Sequence, residues 1–384
     1  MLKRLLPLLA LMLLLGCGKE MSAPTSEAPA AEATFAVPET TAAAVETVPS
    51  SDTLGEILDN MTLEEKVGQM FLGRCRAESA AEDLKKYHLG GYILYGCDFE
   101  DQTPDSIRQT IESYQSVAGL PLLIAVDEEG GTVCRVSAYP EFRSEPFPSP
   151  RTLYAQGGRE LALCVEAEKA YLLHSLGINV NMAPVCDVTT QPGAFLYSRS
   201  LGQSPEETGR FAAEALSRMA EYGVGGVMKH FPGYGSNADT HTGMAVSWRS
   251  LAQMEAEDLP PFQAGIDTGL GAVLVGHIMV MALDDHRPAS LSGAVIGYLR
   301  QEMGFEGVVI TDDLAMGAIT DTYGAGEAAV LAVLAGNSML CSTEYDVQYQ
   351  AVLEAAVSGR IEQASIDDAV YRILLWKHQL GLLE

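Results

Sequence analysis

The chain is short of positive charge: 24 lysines and arginines stand against 51 aspartates and glutamates, a formal net charge of -27 over 384 residues. Gripping a phosphate backbone takes rows of cationic side chains, so this balance argues against a nucleic-acid partner. A neutral or cationic ligand is easier to accommodate. The seven cysteines include no CxxC pair, which removes the spacing of a zinc or thioredoxin-type site. There is no HExxH helix and no HxH pair, so the usual openings of a metallohydrolase site are missing. No GxGxxG run follows the first apolar strand pattern, which weakens the case for a dinucleotide-binding open sheet. Long apolar runs are lacking too: the stretch from Leu5 to Leu15 is too short to span a bilayer comfortably.

That stretch follows Lys3 and Arg4 and runs into Leu14-Leu15-Gly16-Cys17. A basic start, an apolar run and small residues read as an export signal. A transmembrane anchor is the competing reading, and it fits poorly because a polar tail follows at once. The four residues resemble a bacterial lipobox, which implies that Cys17 becomes the lipid-bearing first residue of a mature protein on the extracytoplasmic face of the cell membrane. From Gly18 to Ser51, Ala, Thr, Pro, Ser and Glu dominate without any helical or strand period. Such a segment buries too little apolar surface to offset its ordering entropy, so a disordered tether is expected. It suits a spacer; a flexible tail with no spacing role would look the same.

About 330 residues remain, enough for one large core or two modest domains. Residues 52–384 repeat a unit of apolar β-rich run, polar or glycine-bearing loop and helical pattern, the signature of parallel strands joined by crossover helices. Strands are expected near Gly68–Leu72, Gly91–Tyr95, Leu122–Val126, Ile178–Ala183, Gly225–Lys229, Ala272–His277, Gly307–Thr311 and Asn337–Cys341. Helices are expected at Ser106–Ala118, Gly158–Leu176, Pro205–Glu221, Ser292–Met303 and Gly326–Ala335, with Tyr345–Ser358 and Ser365–Leu380 closing the chain. Eight such units point to an α/β fold, a single (β/α)8 TIM-type barrel in which every strand edge is paired. Leu54–Asn60 and Leu63–Val67 would lie under its lower end. An open doubly wound sheet is the competitor. Cys75, Cys97, Cys134, Cys164, Cys186 and Cys341 are expected as buried thiols, a Cys75–Cys97 bridge being the lesser alternative.

Catalytic groups of such a barrel stand at the C-terminal ends of its strands. Polar residues gather there: Asp127-Glu128-Glu129-Gly130-Gly131 and Arg135 after the third strand, Asn181, Asp187 and Arg199 after the fourth, Lys229, His230, Asp239 and His241 after the fifth, His277 after the sixth, Thr311-Asp312-Asp313 after the seventh. Each has a plain structural explanation, such as a helix cap or a turn needing positive φ. Capping alone would not recruit arginines, a lysine and histidines to one rim. Two chemistries could use the set: Asp312 as nucleophile beside a proton donor (His241, His230 or Glu128) on a glycosidic bond, or His230, His241 and His277 around a divalent metal. Lys229 beside His230 would repel a metal.

The series Asp127-Glu-Glu-Gly-Gly-Thr-Val-Cys-Arg135, Asn181-Met-Ala-Pro-Val-Cys-Asp187, Arg199-Ser-Leu-Gly202, Lys229-His-Phe-Pro-Gly-Tyr-Gly235, Asp239-Thr-His241 and Thr311-Asp-Asp-Leu-Ala-Met316 resembles the glycoside hydrolase family 3 N-acetylglucosaminidases over residues 55–384. The resemblance implies that Asp312 is a nucleophile forming a covalent glycosyl intermediate. It implies His241 as general acid and base with Asp239 orienting its ring, and sugar contacts from Asp127, Arg135, Arg199, Lys229 and His230. No metal, cofactor or protein partner is required by it; the partner is a glycan bearing N-acetylglucosamine. A sugar-binding lipoprotein without catalysis is the alternative of another class, and phosphorolysis a variant within the family. Tyr234 and Glu128 depart from the family's common His and Gln. The chain also lacks a sandwich-like second domain, which with the Asp239-Thr-His241 pair favours the hexosaminidases over the β-glucosidases.

Overall fold

The structure is a computed structural model and describes residues 51–235 and 244–383. The expectations for Cys17, for the tether before Ser51 and for Asp239 and His241 lie outside the described residues.

Eight parallel strands form the centre: β1 (Phe71–Arg74), β2 (Gly91–Leu94), β3 (Leu123–Val126), β4 (Val180–Asn181), β5 (Gly225–Phe231), β6 (Ala272–Val275), β7 (Val309–Thr311) and β8 (Leu340–Ser342). Their order is β7-β6-β5-β4-β3-β2-β1-β8. A parallel bridge between Ile310 and Met339 brings the last strand round to β7, so the sheet is a nearly closed barrel. Strands such as Leu123-Ile124-Ala125-Val126 are buried throughout, because helices cover one face and barrel packing the other. The expected barrel is the observed fold.

Helix starts follow local chemistry. Thr103, Ser149 and Ser204 accept a backbone N–H at the first turn of Pro104–Val117, Pro150–Ser175 and Pro205–Ala220, each with proline just inside. The helix expected from Gly158 is the second arm of a longer one that begins at Pro150 and kinks at Gly157 and Gly158. The stretch Ser292–Met303 starts as the α-helix Gly293–Gly297 and continues in wider π-helical turns over Tyr298–Glu302.

The first strand differs most from expectation. Thr62 and Glu65 form a reciprocal capping box that starts a helix over Leu63–Gln69, so Gly68 is helical and β1 begins at Phe71. Gly68 serves close approach: a Cβ there would lie 2.0 Å from the Tyr87 carbonyl oxygen. At this lower end, fully buried Lys377 of helix Gln363–Gln379 donates to Gln69 Oε1 at 2.7 Å, and Gln69 Nε2 donates to the His88 carbonyl at 2.9 Å. Burial pulls the Lys377 amine down to a pKa of about 7.

Two short strand pairs had no signal in the sequence pattern. Glu128–Gly130 pairs antiparallel with Val133–Cys134 above β3, and Ala245–Ser247 pairs parallel with Ile278–Val280 above β5 and β6. All six cysteines among the described residues are free, four of them buried or half-buried and Cys97 and Cys164 exposed, so no Cys75–Cys97 bridge forms. No helix among the described residues is long and apolar enough to cross a membrane.

Candidate active site

The C-terminal ends of the strands surround a cleft of about 530 Å³. Asp127, Arg135, Arg199, Lys229, His230 and Asp312 all line it, so six of the eight residues expected at the chemistry meet in one place.

Three consecutive carboxylates after β3 point to three destinations. Asp127 accepts from Lys229 Nζ at 2.5 Å at the edge of the cleft. Glu128 turns inward and accepts from the backbone of Arg135, Val136 and Ser137. Glu129 is buried and accepts both Lys229 Nζ at 2.6 Å and a two-pronged contact from Arg199, Nε at 2.8 Å and Nη2 at 2.7 Å. The turn that allows this fan uses Gly130 and Gly131 at φ of +94° and +67°; a Cβ on Gly130 would sit 2.4 Å from the Pro148 carbonyl oxygen. Burial raises the Glu129 pKa, but Lys229 and Arg199 outweigh it and hold the carboxylate well below the usual range. Burial likewise disfavours the Lys229 ammonium, and Asp127 and Glu129 overcome that and keep it above the ordinary lysine value.

His230 is fixed by Asp187, whose Oδ2 accepts both its backbone N–H at 2.9 Å and its Nδ1–H at 2.8 Å. Arg199 Nη2 donates to the other ring nitrogen, Nε2, at 3.2 Å, which assigns the tautomer. Asp187 Oδ1 also accepts the Tyr234 N–H at 2.7 Å, so one buried carboxylate organises the whole turn after β5. Tyr234 packs edge-on against His230 with ring centroids 5.4 Å apart and, with Phe195, forms an aromatic wall of the cleft.

Asp312 leaves the end of β7 with its N–H bonded to the Val275 carbonyl of β6 at 3.0 Å. It is half-buried and opens on the cleft. Burial opposes its ionisation; the imidazoles of His277 and His230, the Asp313 N–H and Lys229 favour the anion and prevail, so its pKa is lowered. Asp313 also borders the cleft, but its carboxylate is engaged by the chain around it. Its Oδ1 accepts the N–H groups of Ala315 at 3.0 Å and Thr343 at 3.2 Å, and its Oδ2 accepts the Thr343 hydroxyl at 2.6 Å. Its carbonyl accepts from His277 Nε2 at 2.9 Å.

Sequence reasoning assigned no role to Glu129 or Asp187, although both stood inside the quoted motifs. The signal was available: a buried-strand end carrying three acids near two arginines and a lysine must pair them.

The N-terminal domain of glycosyl hydrolase family 3 matches residues 62–375 of this chain. The β-hexosaminidase LpqI of Mycobacterium tuberculosis is 31% identical over 328 residues, 82% of either chain. A solved glycoside hydrolase family 3 β-N-acetylglucosaminidase from Paenibacillus superposes with a TM-score of 0.78 at 34% identity, over 84% of this chain and 63% of that longer one. A family 3 glycosyl hydrolase structure from Mycobacterium smegmatis gives 0.76 at 30% identity, over 83% of this chain and 98% of its own. The barrel, the cleft and these likenesses agree: the chain belongs to glycosyl hydrolase family 3, on its β-hexosaminidase branch.

Proposed function

We propose that this protein is a retaining exo-β-N-acetylglucosaminidase that releases terminal β-linked N-acetylglucosamine from peptidoglycan-type glycans or muropeptides, held at the extracytoplasmic face of the membrane by lipid on Cys17. The observation that carries this reading is Asp312: an ionised carboxylate at the end of β7, opening on a cleft whose other walls bear Asp127, Arg135, Arg199, Lys229 and His230. Those charged and hydrogen-bonding groups suit the hydroxyls and acetamido group of one terminal sugar. Asp312 attacks the anomeric carbon, forming the glycosyl–aspartate ester as the bond to the leaving oxygen breaks. His241, with Asp239 stabilising its charged form, gives the leaving oxygen its proton and then takes one from the water that cleaves the ester. Two displacements at one carbon retain configuration.

The test separates the two jobs of His241. In His241→Ala, turnover of a natural disaccharide is expected to fall at least about 100-fold more than turnover of an aryl glycoside whose leaving group needs no proton. Added azide, which needs no general base, is expected to yield a β-glycosyl azide. Equal losses on both substrates without azide product would remove His241 from the reaction; an inverted product would remove the covalent role of Asp312.

A further inference from the structure

The two arginines of the cleft are held in different ways. Arg199 is gripped through its side chain by Glu129. Arg135 lines the cleft as well, but its buried Nε has no hydrogen-bond partner among the described residues, and no carboxylate grips it as Glu129 grips Arg199 in the hydrogen bonds described. The Arg135 backbone is organised by one carboxylate. Glu128 is fully buried. Its Oε2 accepts the N–H of Arg135 at 2.9 Å and of Val136 at 2.8 Å, and its Oε1 accepts the N–H of Ser137 at 3.3 Å together with the Ser137 hydroxyl. The same hydroxyl receives the Phe147 N–H at 3.2 Å, tying in the chain that supports the Gly130-Gly131 turn. Asn181 of β4 in turn holds both backbone polar groups of Glu128: its Oδ1 accepts the Glu128 N–H at 3.0 Å and its Nδ2 donates to the Glu128 carbonyl at 3.2 Å.

We propose that Glu128 is a positioning residue for sugar binding: it gathers three successive backbone N–H groups onto one carboxylate and so fixes the line along which the Arg135 guanidinium reaches the terminal sugar. The inference rests on the reading of Arg135 as a sugar contact. It makes Glu128 and Glu129 a matched pair, adjacent in sequence, each placing one arginine, the first through main chain and the second through side chain. A glutamine is a partial substitute: its oxygen can still take the Arg135 and Val136 N–H groups and its amide can donate to the Ser137 hydroxyl, while the Ser137 N–H alone loses its acceptor. Alanine leaves three buried donors without an acceptor.

The experiment is a double-mutant cycle on an activated aryl N-acetylglucosaminide, with KM, kcat and melting temperature recorded for Glu128→Ala, Glu128→Gln, Arg135→Ala and the Glu128→Ala/Arg135→Ala pair. Arg135→Ala is expected to raise KM about 30-fold and Glu128→Ala about 10-fold, with kcat changing less than about 3-fold, while Glu128→Gln returns KM to within about 3-fold of the parent. The double variant is expected to match Arg135→Ala within about 2-fold, because Glu128 acts through the side chain already removed. A full Glu128→Ala penalty on top of Arg135→Ala, or a loss confined to kcat, would overturn the positioning role. An unchanged KM in Arg135→Ala would instead overturn the sugar-contact reading beneath it. Should Glu128→Ala not fold, Glu128→Asp carries the test, since it keeps the charge and shortens the reach; parental KM there would count against the proposal.

Discussion

Two lysines are buried at opposite ends of the same barrel, and their surroundings could hardly differ more. Lys229, at the end of β5, sits between Asp127 and Glu129 at 2.5 and 2.6 Å and is held charged. Lys377, under the lower end, has one amide oxygen at 2.7 Å, and burial brings its pKa to about 7. A buried ammonium is costly unless paired, so the barrel keeps a full positive charge only where carboxylates are built around it. The upper end is organised for charge. The lower end uses a lysine chiefly as a long apolar stem with one hydrogen-bonding tip.

The contrast is sharpest when the charged end loses its proposed nucleophile. Asp312→Asn is expected to lower kcat at least about 10,000-fold, with thermal unfolding unchanged or shifted upward, because a cleft carboxylate serves turnover and not packing. Unfolding that drops along with activity would show that Asp312 supports the barrel. Lys229→Met follows. It leaves Asp127 without its cation and Glu129 with Arg199 alone, so kcat/KM is expected to fall about 100-fold or more and stability by about 3–5 kcal/mol, read from kinetics and urea unfolding of the same preparation. A stable, active Lys229→Met would erase the distinction between the two ends.

Lys377→Met is the smallest intervention for activity, with kcat/KM expected within about 2-fold of the parent. Its signature lies in pH. The folded-state pKa of Lys377, about 7, is below its ordinary value of 10.5, so between these limits the unfolded chain binds the extra proton. Stability from this group is therefore lowest below pH 7 and rises with pH toward 10.5, at a slope of up to about 1.4 kcal/mol per unit. Urea unfolding from pH 7 to 10 should show a flatter profile in Lys377→Met than in the parent; identical slopes would mean that Lys377 keeps its charge in the fold.

Much of this design was legible in the residues. The βα rhythm located all eight strands because barrel strands are short apolar runs bounded by loops, and strand ends alone could place Asp127, Lys229, His230 and Asp312 around one cleft. The error at Gly68 has a clear cause: Val67-Gly68-Gln69-Met70-Phe71-Leu72 reads as one apolar run, and only the Thr62–Glu65 capping box and the close approach to Tyr87 make its first part a helix. Glu128 was read as a possible proton donor, yet it faces backbone N–H groups; direction along a tight glycine turn is not written in spacing. The tautomer of His230 and the organising role of Asp187 depend on a contact across 43 residues, which no local pattern carries.

The closure between β7 and β8 has an architectural consequence. Beyond the bridge at Ile310 and Met339, backbone and side chains both close the join: the Cys341 carbonyl accepts the Leu314 N–H at 3.2 Å, the Val309 carbonyl accepts the Ser338 N–H at 2.9 Å, the Thr311 hydroxyl accepts the Cys341 N–H at 3.2 Å, and Asp313 holds Thr343. An unpaired strand edge is a template for aggregation, and here the edge exposed by an open join would belong to the strand that carries Asp312. Through Thr343, Asp313 helps keep that edge joined to β8, so the residue next to the proposed nucleophile also contributes to closing the sheet.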